Sequence, residues 1–280
     1  MYLLHQFLPA VGVAVVCAAI LSAVALCGKS GSKPLAQSAC ALGVASGYFA
    51  GHVFITGWIP LPPTDTTNWL PYFVIVAVVI SAIAPLLSSR TVRGAVLGLI
   101  CAGAMRFLLA PKFRYEWSVE QGWLWVACLG GGIVLLTLSV RAMARHSSMA
   151  LESPLLLSLI AAGTAGALML SGSLLLGQFA AVLSAAVLGT LVLASRDRTA
   201  FEGAATVFSL LEGALLACGY FFAELPALSV LLLATAPAVA LIANRVSAPS
   251  RSVAARACLV LAPTVCAVLA AFFTSPNHSA

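Results

Sequence analysis

The stretch from Pro154 to Ala194 reads PLLLSLIAAGTAGALMLSGSLLLGQFAAVLSAAVLGTLVLA, without one Asp, Glu, Lys or Arg. An apolar segment of about 20 residues spans the ~30 Å hydrocarbon core of a bilayer as a helix rising 1.5 Å per residue. The stretch is long enough for two crossings. Only Ser171, Gly172 and Ser173 interrupt it, and they either turn the chain between two spans or form the tip of a re-entrant hairpin.

The rest of the chain has the same character. Of its 280 residues 62% are hydrophobic and 8% charged, with a mean hydropathy of +1.08. A soluble domain carries about a quarter charged residues, so a water-surrounded fold and a disordered chain are both excluded. Ten apolar runs of crossing length are expected over residues 7–26, 38–59, 70–87, 94–110, 123–142, 154–171, 173–194, 204–223, 227–242 and 257–273. Backbone polar groups in lipid must be paired within their own segment, and no alternating pattern suggests barrel strands. The expected fold is all-α: a single polytopic membrane helix bundle over residues 1–280, with about ten transmembrane helices.

Basic residues give the orientation, because short loops rich in Lys and Arg stay cytoplasmic. The odd-numbered connections hold Lys29, Lys33, Arg90, Arg93, Arg141, Arg145, Arg196, Arg198, Arg245, Arg251 and Arg256; the opposite side holds Lys112 and Arg114, and Arg106 lies within a span. This alternation puts both termini outside the cytoplasm. Residues 1–6 carry no Lys or Arg, so segment 7–26 reads as a retained anchor and not as a secretory signal. Leu26 before Cys27 argues against lipid attachment there. The net charge of +6 is explained by this bias, and no basic cluster points to nucleic acid. The eight cysteines lack CxxC spacing and read as small apolar fillers.

All five tryptophans fall on the extracytoplasmic side. An interfacial aromatic belt accounts for their type, since the ring prefers the acyl boundary and its N–H prefers water. It does not account for the asymmetry. The two longer outer loops, 60–69 and 111–122, therefore define an outer recognition rim of Trp58, Asp65, Trp69, Glu116, Trp117 and Glu120. Prolines should stiffen the first loop, with Asp65 and Thr66 capping the next helix. The stretch Gly57-Trp58-Ile59-Pro60-Leu61-Pro62-Pro63-Thr64-Asp65-Thr66-Thr67-Asn68-Trp69-Leu70-Pro71-Tyr72 resembles one in uncharacterised multi-pass bacterial membrane proteins. The resemblance implies a bacterial cytoplasmic (inner) membrane location and no activity.

Small residues recur every fourth position at Gly43, Gly47 and Gly51, and again at Gly94, Gly98 and Ala102. Such faces let helices approach closely, within one chain or in a homo-oligomer. Pro85, Pro237 and Pro263 are candidate kink points. Ionisable residues inside spans are costly and mark functional positions or partners. Those residues are His52, with Tyr48 one turn earlier, Arg106, which can snorkel outward, and Glu212, which cannot. Together with Gln178 they are expected either to form structural hydrogen bonds or to converge on an outward-facing cavity.

A carrier of a small polar or anionic solute, with halves 1–145 and 146–280, is the leading expectation. A five-span half repeated would be inverted, as in many secondary transporters. The alternative is a structural or assembly subunit whose rim meets a membrane-complex partner; a membrane-embedded enzyme comes third. No HExxH, GxSxG, GxxxxGK or Asp-rich diphosphate motif is present. No catalytic residue, metal or cofactor is expected, and the lipid bilayer is the one certain partner.

Overall fold

In the computed structural model, residues 2–27, 33–63, 65–83, 89–146, 151–194, 200–246 and 253–274 are described. They fold into helices: α1 (Tyr2–Cys27), α2 (Lys33–Thr56), α3 (Leu70–Ile83), α4 (Arg90–Leu108), α5 (Ala110–Tyr115), α6 (Val119–His146), α7 (Glu152–Leu170), α8 (Leu174–Gly189), α9 (Leu191–Ala194), α10 (Phe201–Phe222), α11 (Ala227–Val246) and α12 (Val253–Thr274). A 3-10 turn, Thr66–Trp69, leads into α3. Seven stretches are long and apolar enough to cross a membrane: Ala36–Thr56, Thr66–Ile83, Thr91–Leu108, Val119–His146, Glu152–Leu170, Leu174–Ala194 and Phe201–Phe222. The other three expected segments carry shorter apolar helices, Phe7–Ala23, Ala227–Ile242 and Leu261–Thr274.

The lining of the bundle follows the side chains. α10 is buried from Phe201 to Gly219 at most positions. It packs against α2, α3, α6 and α8, while α7 lies against α8 and α12, and α1 against α2 and α8. On the periphery, Leu99 of α4, Leu135 of α6 and Ile242 of α11 point outward at 77%, 66% and 60% exposure. Bare leucines on several faces are what lipid as the surrounding medium allows and water does not.

The glycine stripes have different fates. A side-chain carbon on Gly47 would lie 2.6 Å from the Ala14 carbonyl oxygen, and one on Gly51 2.5 Å from Val182, so the α2 stripe sets the approach of α1 and α8. Gly43 meets Ser22 and Ala18 of α1 in the same way. On α4, Gly94 has no neighbour within 4 Å and Gly98 only Val134 at 3.8 Å. The third member, Ala102, packs against Gly130 of α6, so this second stripe is open at Gly94 and closed at Ala102.

At residues 171–173 the chain turns between two helices that are each long enough to cross. Gly172 takes a positive φ of 95°, Ser173 N–H donates to the Leu168 carbonyl at 3.1 Å, and Ser173 Oγ accepts from Leu176 N–H at 3.4 Å. A left-handed glycine with that 6→1 bond is a Schellman-type helix end. α7 and α8 then run back along each other. Pro237 and Pro263 lie inside α11 and α12, and Pro85 falls outside the described residues.

Candidate functional site

Two polar regions occupy the same helices at different depths. The first is sealed. Glu212 on α10 is 0% exposed; its Oε1 accepts the Thr164 hydroxyl from α7, and its Oε2 has no partner. His52 on α2, also 0% exposed, stacks on Phe179 of α8 with ring centres 4.2 Å apart and planes 16° from parallel. Neither of its ring nitrogens has a hydrogen-bond partner, and neither does the Tyr48 hydroxyl, whose ring is 5.9 Å from that of His52. Gln178, next to Phe179, is buried as well.

Arg106 does not join them. Its guanidinium lies over the Phe113 ring, 4.0 Å from the centroid, a cation–π contact at the C-terminal end of α4. Thus His52 faces α8, Glu212 faces α7, and Arg106 faces the short helix α5. Among the described residues no hydrogen bond or ion pair links any two of these four. The sealed residues border none of the cavities described below.

The outer rim is mostly an aromatic lattice. Trp117 stacks on Trp125 (6.2 Å, 20°) and meets Phe221 edge-on at 5.1 Å; Trp125 also meets Phe221 and Tyr220. Trp69 stacks on Phe107 at 5.0 Å. Trp58 differs: it is 84% exposed and borders an apolar cleft of about 130 Å³ with Phe49 and Tyr72. Loop 60–69 is pinned by Tyr72, whose hydroxyl donates to the Pro60 carbonyl at 3.2 Å. Asp65 sits at the cap position of the 3-10 turn in an extended conformation, but its side chain makes no capping bond; its backbone carbonyl accepts from Asn68 N–H at 3.1 Å. The expected side-chain cap is corrected to a main-chain one. Region 111–122 is a loop only in part, since α5 fills Ala110–Tyr115 and α6 starts at Val119. Within it Glu116 is paired with Lys112 at 2.6 Å, and Glu120 is exposed in the first turn of α6.

The second polar region was hidden among what the sequence presents as loop charges. Arg93 in the first turns of α4 and Arg141 and Arg145 near the end of α6 line one cleft of about 280 Å³, with Gln37, Ser81, Glu202 and Gly203. The same three arginines border an adjoining groove of about 360 Å³ between α4 and α6, walled by Leu97, Val134 and Leu138. Arg141 and Arg93 are half-buried. Arg141 Nη2 donates to Thr206 Oγ1 of α10 at 2.9 Å. Arg145 reaches Glu202 Oε2 through Nε and Nη2, both at 2.8 Å. The floor is shaped by the closest helix approach in the bundle's inner half: Gly203 of α10 lies so near Gln37 that a side-chain carbon there would sit 1.9 Å from its carbonyl oxygen. Ser81 Oγ donates to the Gly203 carbonyl at 3.2 Å.

One sequence signal could have revealed this cleft. Arg141 and Arg145 are four apart and share a helix face if the helix is carried past the apolar run. Among the described residues no three of His, Cys, Asp and Glu gather as a metal-binding group. The chain matches no protein-family model, no curated protein and no solved structure.

Proposed function

We propose that the protein is a carrier of a small polar or anionic solute in the bacterial inner membrane, crossing it ten times with both termini on the far side. One observation carries this reading: two helices, α2 and α10, contribute residues both to the sealed interior and to the wall of the arginine cleft. α2 runs from Gln37 at the cleft to Tyr48 and His52 inside, and α10 runs from Glu202 and Thr206 to Glu212. Along α10, Thr206 and Glu212 are about 9 Å apart at 1.5 Å per residue. A polar track therefore leads from an open basic mouth towards a closed interior.

The interior has a cost that packing alone does not repay. A buried polar atom left without a hydrogen bond is unfavourable by about 1–3 kcal/mol, and Glu212 Oε2, both His52 nitrogens and Tyr48 Oη are all in that state. Groups kept at such a cost within a membrane are characteristic of solute and proton paths. In the carrier reading, Glu212 and His52 are satisfied when the path opens and solute or water reaches them, and the present conformation is the occluded one.

Proteoliposomes containing a trapped pH dye and offered inorganic phosphate, acetate, lactate and succinate in turn test the reading. Solute-dependent proton flux is expected with at least one anion, and its loss in Glu212→Gln. Wild-type protein that moves none of them overturns the carrier reading, and normal flux in a well-inserted Glu212→Gln removes this carboxyl from the mechanism.

A second reading, an assembly subunit of a membrane complex or homo-oligomer, is favoured by the open glycines. Gly94 and Gly103 of α4 and Gly131 and Gly132 of α6 have no atom within 4 Å of an added side-chain carbon. A cysteine at Ala165, beside Thr164, separates the two: solute-dependent labelling by an impermeant maleimide belongs to a carrier, permanent protection to a scaffold.

A further inference from the structure

We propose that the cleft of Arg93, Arg141 and Arg145 binds a phosphate-class anion, a phosphoryl group held among the three guanidinium forks. The inference names the anion for the inner mouth of the proposed path and rests on that reading for any role in transport.

Positive-inside bias alone does not place these side chains where they are. It asks for basic residues in short solvated loops, whereas all three lie within helices and Arg141 is half-buried and bonded to a hydroxyl on another helix. The helix dipole favours Arg145, which is in the last turn of α6. It works against Arg93. Arg93 stands in the first turns of α4, where the dipole favours an anion, and it faces Arg141 across the cleft.

The charge count of the cleft is lopsided. Among the described residues that line it, three guanidinium groups stand beside one carboxylate, Glu202, and that carboxylate is engaged by Arg145. The Arg141 partner is the neutral Thr206 hydroxyl. Gln37 of α2 adds an uncharged amide to the same wall. Arginine forks are among the devices proteins use most for phosphoryl oxygens, and here three of them line one cleft. Arginine in all three positions suits bidentate recognition, which a lysine point charge does not supply.

The space fits more than a bare ion. The 280 Å³ cleft continues into the 360 Å³ groove walled by Leu97, Val134 and Leu138, so a phosphoryl group can carry an apolar body along α4 and α6. Such a group comes from either a soluble phosphate ester or the headgroup of an anionic lipid.

The test uses the purified full chain. One arm titrates inorganic phosphate and phenyl phosphate calorimetrically into detergent-solubilised protein; the other measures, by native mass spectrometry, phosphatidylglycerol retained after exchange into nanodiscs of mixed phosphatidylglycerol and phosphatidylcholine. Saturable binding in at least one arm is expected, weakened tenfold or more in Arg93→Gln and in Arg141→Gln, partly kept in Arg141→Lys, and unchanged in the outer-face control Arg114→Gln. Heat from the phosphates assigns a soluble ester, and selective lipid retention without heat assigns the headgroup. Wild-type protein that binds in neither arm overturns the proposal, as does wild-type affinity in a folded Arg93→Gln variant. Binding without any transport would leave the cleft standing and remove the carrier.

Discussion

The sealed His52–Glu212 interior and the arginine cleft are two polar regions that share helices α2 and α10, and they are stabilised in opposite ways. In the interior each ionisable group touches an apolar ring or a single hydroxyl, and several polar atoms have no partner at all. In the cleft, hydrogen bonds and an ion pair tie α6 to α10, and open space remains beside them. The contrast shows that depth, not residue type, decides whether a charge on these helices is solvated. The cleft tolerates charge because water reaches it, and the interior excludes charge because nothing does.

The largest expected effect comes from closing the cleft floor. Gly203→Val forces a branched side chain into the Gln37 backbone, where no flexible group can yield. A loss of about 3 kcal/mol or more, or failure to accumulate folded protein, is expected in size-exclusion and thermal-unfolding measurements. Retention of wild-type stability would mean that α2 and α10 are further apart than described.

A middle-sized effect is expected in the interior. Thr164→Val keeps the shape and removes the hydroxyl that donates to Glu212 Oε1. The carboxyl then has no bonded partner, and thermal unfolding should show a loss of about 1–3 kcal/mol. Unchanged stability would indicate that water or solute already satisfies Glu212, which would erase the contrast between the two regions.

The smallest effect belongs to the exposed pair. Arg145 is 57% exposed, so breaking its ion pair by Glu202→Gln should alter stability by no more than about 1 kcal/mol. The same change removes the one carboxylate among the described residues lining the cleft, and tighter phosphate binding by a few-fold is expected in the calorimetric titration. Weaker binding would make Glu202 a member of the ligand shell instead of a competitor for it.

Much of the fold was legible in the sequence because lipid imposes a simple rule on segment length. Each expected apolar run carries a helix, and Ser171-Gly172-Ser173 turns the chain as a glycine with positive φ allows. What hydropathy does not carry is the polar end of a helix. The run 123–142 stops where apolar residues stop, yet α6 continues to His146 because helix geometry does not end at the membrane surface. Arg145 thereby moved from an expected loop to a cleft wall. Neighbours are equally hidden. Periodicity gave α2 and α4 the same glycine stripe, but only contact with α1 and α8 makes the first a packing face. It set Arg106 on the face of Gly94 and Gly98 and could not foresee that Phe113, from a short helix in the next connection, would take the guanidinium.

Helix α6 grips α10 at both extremities. At one end Arg145 and Arg141 hold Glu202 and Thr206, and at the other Trp125 is wedged against Tyr220 and Phe221, with Ile133 pressed on Gly213 between. Two splints so fastened form one beam, and the Glu212 carboxyl with its Thr164 partner on α7 lies between the two fastenings.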